Sequence, residues 1–165
     1  MSKSPVDMVA TISKARADAA SASGRRVRRR SADAIGRVPL FSGLSRRHLH
    51  QVAEAADEVS FRQGSTVVKE GDLGQTLFVI MEGQVRVTRG GRKLGTMGPG
   101  EFFGEIALVD RGPRTATVVA ETPLVAIRLF RRSFLKLIER EPKIGEKVLA
   151  TLAMRLRTVE KNLTG

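Results

Sequence analysis

The residues of this chain best suited to chemistry are a glycine, a carboxylate and an arginine close together: Gly104, Glu105 and Arg114. Gly104 has no Cβ, so the backbone there can approach a ligand closely. The residues that follow can turn into a short helix, whose N-terminal amides would face an anion. Glu105 in its first turn could accept hydrogen bonds from a diol, and the planar guanidinium of Arg114 suits a phosphate. Together these residues predict a pocket for a sugar phosphate.

The surrounding sequence is Phe-Phe-Gly-Glu-Ile-Ala-Leu at positions 102–108 and Pro-Arg-Thr-Ala-Thr-Val at positions 113–118. It resembles the phosphate-binding cassette of the cyclic-nucleotide-binding domain family, which includes catabolite activator proteins, protein kinase A regulatory subunits and cyclic-nucleotide-gated channels. The resemblance runs from about Val38 to about Leu156. It implies that Glu105 binds the ribose 2′-hydroxyl and Arg114 the cyclic phosphate. The ligand-binding residues that it implies are Phe103, Gly104, Glu105, Ile106, Ala107, Arg114, Thr115 and Ala116.

Thr115 bears on the choice of nucleotide. Its hydroxyl could bond the phosphate or reach the 2-amino group of a guanine held syn. Within the family that this chain resembles, Thr or Ser after the arginine often accompanies cyclic GMP, but bacterial cyclic AMP receptors also carry hydroxyl residues there. We favour cyclic AMP, with cyclic GMP as the alternative. The base contacts are expected within residues 149–159 of the last helix, with Val87 and Leu108 as weaker candidates.

Short apolar segments separated by glycines fill the middle of the chain. Their period of two predicts strands at positions 58–61, 66–68, 77–81, 85–88, 115–120 and 124–129. Several short strands with glycine turns indicate a closed or two-sheet antiparallel structure. Glu-Gly-Asp-Leu-Gly at positions 70–74 matches the β-roll of the same family. The predicted fold class is mainly β: an antiparallel, jelly-roll-like β-roll with an N-terminal helix, a short phosphate-binding helix and two C-terminal helices.

Helices are predicted on both sides of these strands. Ser45 is a suitable N-cap for a helix to about Ala56, Ser133 could cap residues 134–139, and Pro142 fits a first helical position. The last helix carries an apolar stripe, which indicates packing on its own roll or, by the family resemblance, a lid that also pairs with a partner's helix. The residues predicted for a homodimer are Leu149, Leu152, Leu156 and Val159.

The basic character of the chain is concentrated at its N-terminus. Half of the net charge of +12 falls within residues 1–38, where small polar residues at positions 15–24 indicate a linker. We therefore divide the chain into a basic, largely disordered extension, 1–37, and a cyclic-nucleotide-binding domain with its lid helix, 38–165. Ser31 follows three arginines and fits a basophilic kinase site. A nucleic acid or acidic membrane could contact the arginine cluster Arg25, Arg26, Arg28, Arg29 and Arg30.

Composition argues against several functions. Cysteine is absent, so thiolate chemistry and cysteine-ligated metals are excluded, and no apolar run approaches the ~20 residues that a membrane helix needs. His48 and His50 would face apart on a helix, and the chain holds no third histidine for a metal site. No nucleophile, base and oxyanion hole assemble. We therefore predict a cytoplasmic protein that is not an enzyme and binds no metal.

The function predicted from these observations is that of a cyclic nucleotide sensor. No helix-turn-helix segment follows the last predicted helix, so we expect a regulatory protein without its own effector domain, acting on an unidentified effector protein. The alternatives are a cyclic GMP-binding regulator, or a nucleic-acid- or membrane-associated regulator that acts through the arginine cluster.

Overall fold

The computed structural model describes residues 29–164. They form two four-stranded antiparallel sheets, with helices before and after the strands along the chain. This confirms the predicted fold class. The helices before the sheets are α1 (residues 29–35), a 3₁₀ helix (Pro39–Phe41) and α2 (Arg46–Ala55). Those after them are α3 (Arg131–Arg140) and α4 (Pro142–Thr164). The strands are β1 (Asp57–Phe61), β2 (Thr66–Val68), β3 (Thr76–Glu82), β4 (Val85–Arg89), β5 (Arg92–Met97), β6 (Phe102–Phe103), β7 (Thr117–Ala120) and β8 (Leu124–Phe130).

The strand order places β3 at the centre of the fold. One sheet has the order β1-β8-β3-β6 and the other β2-β7-β4-β5. Successive side chains of a strand point to opposite faces, so β3 contributes to two cores. Leu77 and Val79 pack against the helices, whereas Ile80 packs between the sheets with Val85 and Val118. Burial on both faces explains why β3 is a continuous apolar run in the sequence.

Two strands were not predicted, β5 and β6. Strand β5 pairs with β4 across the two-residue turn Gly90-Gly91, whose φ angles of +56° and +77° are those of a tight hairpin turn. Most side chains of β5 are exposed, so the strand is held by backbone hydrogen bonds rather than by an apolar pattern. Strand β6 has two residues, and its pairing of Phe103 with Phe78 of β3 depends on tertiary contacts.

Ordered structure begins earlier than the predicted boundary near Val38. Residues 29–35 are helical, and Ala32, Ala34 and Ile35 are buried in the core beneath the helices. The assignment of residues 29–37 to a disordered extension was therefore wrong, because their few apolar residues fall on one buried face. Ser31 is only 5% exposed, so a kinase could not reach its hydroxyl in this conformation. Arg25, Arg26 and Arg28 lie outside the described residues.

The C-terminal helices differ from expectation at one cap and along one stripe. Helix α3 begins at Arg131 with Phe130 as its N-cap, so Ser133 lies inside the helix and the predicted cap was wrong. Pro142 starts α4 as predicted. Ile144 and Val148 are buried and Leu152 packs partly on the core, so the first half of α4 does pack on its own roll. Leu149, Leu156 and Val159 remain exposed.

A substitution tests whether α1 belongs to the domain. We expect Ile35→Ala to lower the free energy of unfolding by about 2–5 kcal/mol, because it removes fully buried methyl groups and leaves a cavity. Arg29→Ala, at an exposed position of the same helix, should change it by less than about 0.5 kcal/mol. Urea denaturation measures both. If both substitutions changed the free energy of unfolding by a similarly small amount, α1 would not be part of the folded domain.

Candidate functional site

The segment predicted to bind phosphate begins at a glycine in the left-handed conformation. Gly104 has φ +82° and ψ +17°, and it is the N-cap of a 3₁₀ helix that spans Glu105–Leu108. Its carbonyl oxygen accepts from the Ala107 amide at 3.1 Å. The predicted short helix is therefore present, in 3₁₀ form. Its first residue is Glu105, as the sequence predicted.

Arg114 crosses directly over this glycine. Its Nη2 donates to the carbonyl oxygen of Thr76 at 2.8 Å, and a Cβ added at Gly104 would collide with the guanidinium and with that same oxygen. A Cβ added at Gly74 would lie 3.2 Å from Arg114 Nε and 3.3 Å from the Ala107 Cβ. Two glycines on neighbouring segments thus make room for one arginine side chain, which is how the guanidinium reaches the interior.

The Arg114 cation is half-buried and has no counter-ion among the described residues. Burial lowers the pKa of its guanidinium, although an arginine remains charged in a protein. Within residues 29–164 no carboxylate forms an ion pair with it. Because a desolvated charge is costly without a partner, this arrangement favours the binding of an anion.

Glu105 carries the second polar group of the site. Its side chain is 11% exposed, and its Oε1 accepts from Arg155 Nη1 of α4 at 3.0 Å. Its Oε2 is buried and has no hydrogen-bond partner among the described residues. A buried acceptor without a donor costs about 1–3 kcal/mol, so Oε2 is suited to a ligand hydroxyl.

Thr115 and Arg89 also belong to the polar lining. The carbonyl oxygen of Thr115 accepts from Arg89 Nε at 2.8 Å, which ties the segment after Arg114 to the end of β4. Arg89 is exposed and lines the same cavity as Thr115, so it adds a second cation to the site.

Two cavities meet at these residues, and both have volumes in the range usual for small-molecule sites. The first, about 460 Å³, lies along the sheet that contains β4 and β5. The second, about 540 Å³, lies along the 3₁₀ helix Glu105–Leu108. Gly104, Arg114 and Thr115 line both. The predicted residues Phe103 and Ala116 line the first cavity, and Glu105, Ile106 and Ala107 line the second.

The structure thus brings together all eight residues that the sequence predicted for the site. Of the weaker candidates, Val87 lines the first cavity, but Leu108 is fully buried in the core and cannot contact a ligand there. Gly74, Thr76, Arg89 and Arg155 were not predicted as site residues. Arg155 lies within residues 149–159, the range predicted for base contacts, but it pairs with Glu105. Thr76 acts through its backbone carbonyl and so leaves no side-chain signal.

Neither a metal centre nor a membrane span is found in the described region. No three His, Asp or Glu residues between positions 29 and 164 are grouped as a metal site would require, and His48 and His50 lie on α2. None of the helices in that region is long and apolar enough to cross a membrane.

Comparison with known proteins identifies the family. A family model described as the cyclic nucleotide-binding domain matches residues 58–141, about half of the chain and all of the site described above except Arg155 and the rest of α4. The chain belongs to the cyclic nucleotide-binding domain family. The match confirms the family that the sequence around Gly104 and Arg114 resembles.

Relatives of known name lie on several branches of the family. The chain is 38% identical over 130 residues to the cyclic AMP receptor protein of Thermus thermophilus, covering 76% of this chain and 60% of that protein. It is 35% identical to a cAMP-dependent protein kinase regulatory subunit of Aspergillus niger, over 67% of this chain and 28% of that protein. It is 33% identical to a cGMP-dependent protein kinase of Toxoplasma gondii, over 59% of this chain and 10% of that protein. The chain therefore spans less than two thirds of the length of each of these relatives.

A solved structure supports the fold independently. The N-terminal domain of a transcriptional regulator from Streptomyces coelicolor is 33% identical to the chain, with a TM-score of 0.73. The likeness covers 78% of this chain and 95% of that domain.

The close approach at Gly104 leads to a direct test. We expect Gly104→Ala to weaken the binding of a cyclic nucleotide by at least about tenfold, because the methyl group would displace Arg114 from its bond with Thr76. Gly64→Ala is the matched control, since Gly64 has the same left-handed conformation with φ +85° but open space around it. Isothermal titration calorimetry should show the control within twofold of the wild type. Equal losses in both variants would mean that backbone strain alone is responsible.

Proposed function

We propose that this chain is a regulatory domain that binds cyclic AMP at Gly104, Glu105, Arg114 and Thr115 and passes the signal on through α4. The observation that carries the proposal is the half-buried Arg114 guanidinium at the meeting point of two cavities, where no carboxylate within residues 29–164 pairs with it. A cyclic phosphate carries one negative charge, which matches one arginine.

The remaining residues fit the other parts of a nucleotide. Glu105 Oε2, which is buried and has no donor in the described part of the chain, accepts from the ribose 2′-hydroxyl. The first cavity offers apolar side chains to a base, among them Val87 and Met97. Phe103, Ile106, Ala107 and Ala116 shape the walls around these groups. The purine thus lies on the sheet side of Arg114, and the ribose lies on the side of the 3₁₀ helix.

Cyclic GMP is the second candidate ligand. Thr115 is exposed at the junction of the two cavities, where its hydroxyl can meet either the phosphate or the 2-amino group of a guanine. Relatives named for either nucleotide match the chain. The greater coverage of the cyclic AMP receptor protein, 76% of the chain against 59%, supports cyclic AMP.

The signal leaves the pocket by way of Arg155. This residue of α4 is paired with the carboxylate that we assign to the ribose, so a bound nucleotide and the position of α4 influence each other. An effector protein that recognises α4 would read this change. Leu149, Leu156 and Val159 are exposed on the same helix and could pair with a second copy of the chain, whereas Leu152 packs on its own core.

The role proposed here is regulatory rather than enzymatic, since the matching family model describes a ligand-binding domain. We place this role in the cytoplasm on the absence of cysteine from all 165 residues. The arginine cluster is proposed to add contacts to a polyanion. Within the described residues, Arg29 and Arg30 of that cluster are exposed on α1, and Arg30 lies 3.7 Å from Glu82.

Calorimetric titration with cyclic AMP and cyclic GMP tests the binding itself. We expect cyclic AMP to bind more tightly, and Arg114→Ala to cost about 2–5 kcal/mol of binding free energy, because the phosphate would be left without its cation. Arg62→Ala, which removes an exposed arginine of the β1–β2 turn, is the control and should leave the affinity within twofold. The proposal would be refuted if neither cyclic AMP nor cyclic GMP bound at high micromolar concentration.

Hydrogen exchange tests the path through α4. Nucleotide binding should change amide protection across residues 142–163, and Arg155→Ala should abolish most of that change. The affinity should fall less than about tenfold, because a partly exposed ion pair contributes only about 0–1 kcal/mol. Arg157→Ala, at an exposed position of the same helix, should keep the full response. An unchanged response in Arg155→Ala would show that α4 is not coupled through this pair.

A further inference from the structure

A second group of cations lies outside the nucleotide site. Arg111, Arg131, Arg132 and Lys136 line a cleft of about 450 Å³ together with Gln75, Leu135 and Glu139. The four cations come from two separate segments, the loop before Arg114 and the first turns of α3. One carboxylate accompanies them, so the cleft carries a strong positive excess. We call it the basic cleft.

The cations of the basic cleft are not used by the fold. In the part of the chain that the structure describes, none of the four forms an ion pair. Arg131 Nε is buried and has no hydrogen-bond partner there. Arg128, just before α3, shows the contrast, since it holds Asp57 with two hydrogen bonds of 3.1 and 2.6 Å. A buried donor without an acceptor is unfavourable, and this favours an external acceptor for Arg131.

The local structure forces these like charges together. The Arg131 amide donates to the Gln75 carbonyl oxygen at 2.8 Å, which fixes the start of α3 beside the segment that leads into β3. Arg132 and Lys136 are four residues apart and therefore share one face of α3, where like charges repel. Leu135, 38% exposed, adds an apolar surface between them. The fold thus tolerates a repulsive arrangement that a negatively charged occupant would relieve.

We propose that the basic cleft docks an acidic segment of a partner protein. A carboxylate can accept two parallel hydrogen bonds from one planar guanidinium, and the cleft holds three arginines. Leu135 offers a contact for an apolar side chain of such a segment. Nucleic acid fits less well, because a duplex needs cations along an extended face and Glu139 would repel its phosphates.

The basic cleft lies next to the segments that hold Arg114, although the docking proposal does not depend on nucleotide binding. Arg111 stands three residues before Arg114, and Gln75 directly precedes Thr76, whose carbonyl holds Arg114. The Gly74 amide also donates to the Gly112 carbonyl oxygen at 3.1 Å. An acidic segment in the cleft therefore contacts both segments that position the phosphate-binding arginine.

The test uses the full chain and a fluorescent peptide of alternating glutamate and leucine, about twelve residues long, near physiological salt. The triple variant Arg111→Ala, Arg132→Ala, Lys136→Ala removes three cations of the cleft. The matched control, Arg47→Ala, Arg62→Ala, Lys69→Ala, removes three exposed cations elsewhere. Fluorescence anisotropy should show at least about a tenfold loss of affinity in the first variant and less than about threefold in the second.

Two further measurements keep the result decisive. A photo-crosslinking version of the peptide should label residues 131–139 in the wild type, which separates the cleft from the N-terminal arginine cluster. A single-stranded DNA of equal charge should bind less tightly than the peptide. Equal losses in both triple variants, crosslinking confined to residues 1–38, or tighter DNA binding that depends on the same three cations would each overturn the proposal.

Discussion

The contact on which the site depends is the passage of the Arg114 side chain over the backbone of Gly104 to the carbonyl oxygen of Thr76. That passage needs a residue without a Cβ at position 104 and a left-handed φ that only glycine adopts at little cost. It also needs β3 in register, because Thr76 is the first residue of that strand. The result is a half-buried cation whose acceptor in the described structure is a neutral carbonyl, an arrangement suited to binding an anion.

The central strand explains how such a site can also communicate. Strand β3 sends Leu77 and Val79 into the core beneath the helices and Ile80 into the core between the sheets. The same strand begins at Thr76, which holds Arg114. Arg114 is therefore held next to the layer on which α2, α3 and α4 pack. The pair of Glu105 with Arg155 provides a second, direct link from the pocket to α4.

Much of this architecture could be predicted from the sequence because its signals are local. Alternation of apolar residues located six strands, Ser45 capped α2 by accepting from the His48 amide, and Pro142 began α4. The prediction failed where stability comes from elsewhere. Strand β5 depends on pairing with β4. Helix α1 depends on the burial of Ile35, which the sequence did not indicate because arginines dominate that segment. The Ser133 cap was wrong because the strand β8 runs directly into α3.

The sequence by itself determined the family and the type of fold, and it predicted the residues of the proposed phosphate site, because those rest on residue types at short spacing. Only the tertiary structure decided what surrounds them. It paired Glu105 with an arginine fifty positions away and supplied Arg114 with a backbone acceptor thirty-eight positions away. It also left Glu105 Oε2 without a donor from residues 29–164. Such contacts join segments that are distant along the chain. They depend on strand register and helix packing, which no local pattern specifies.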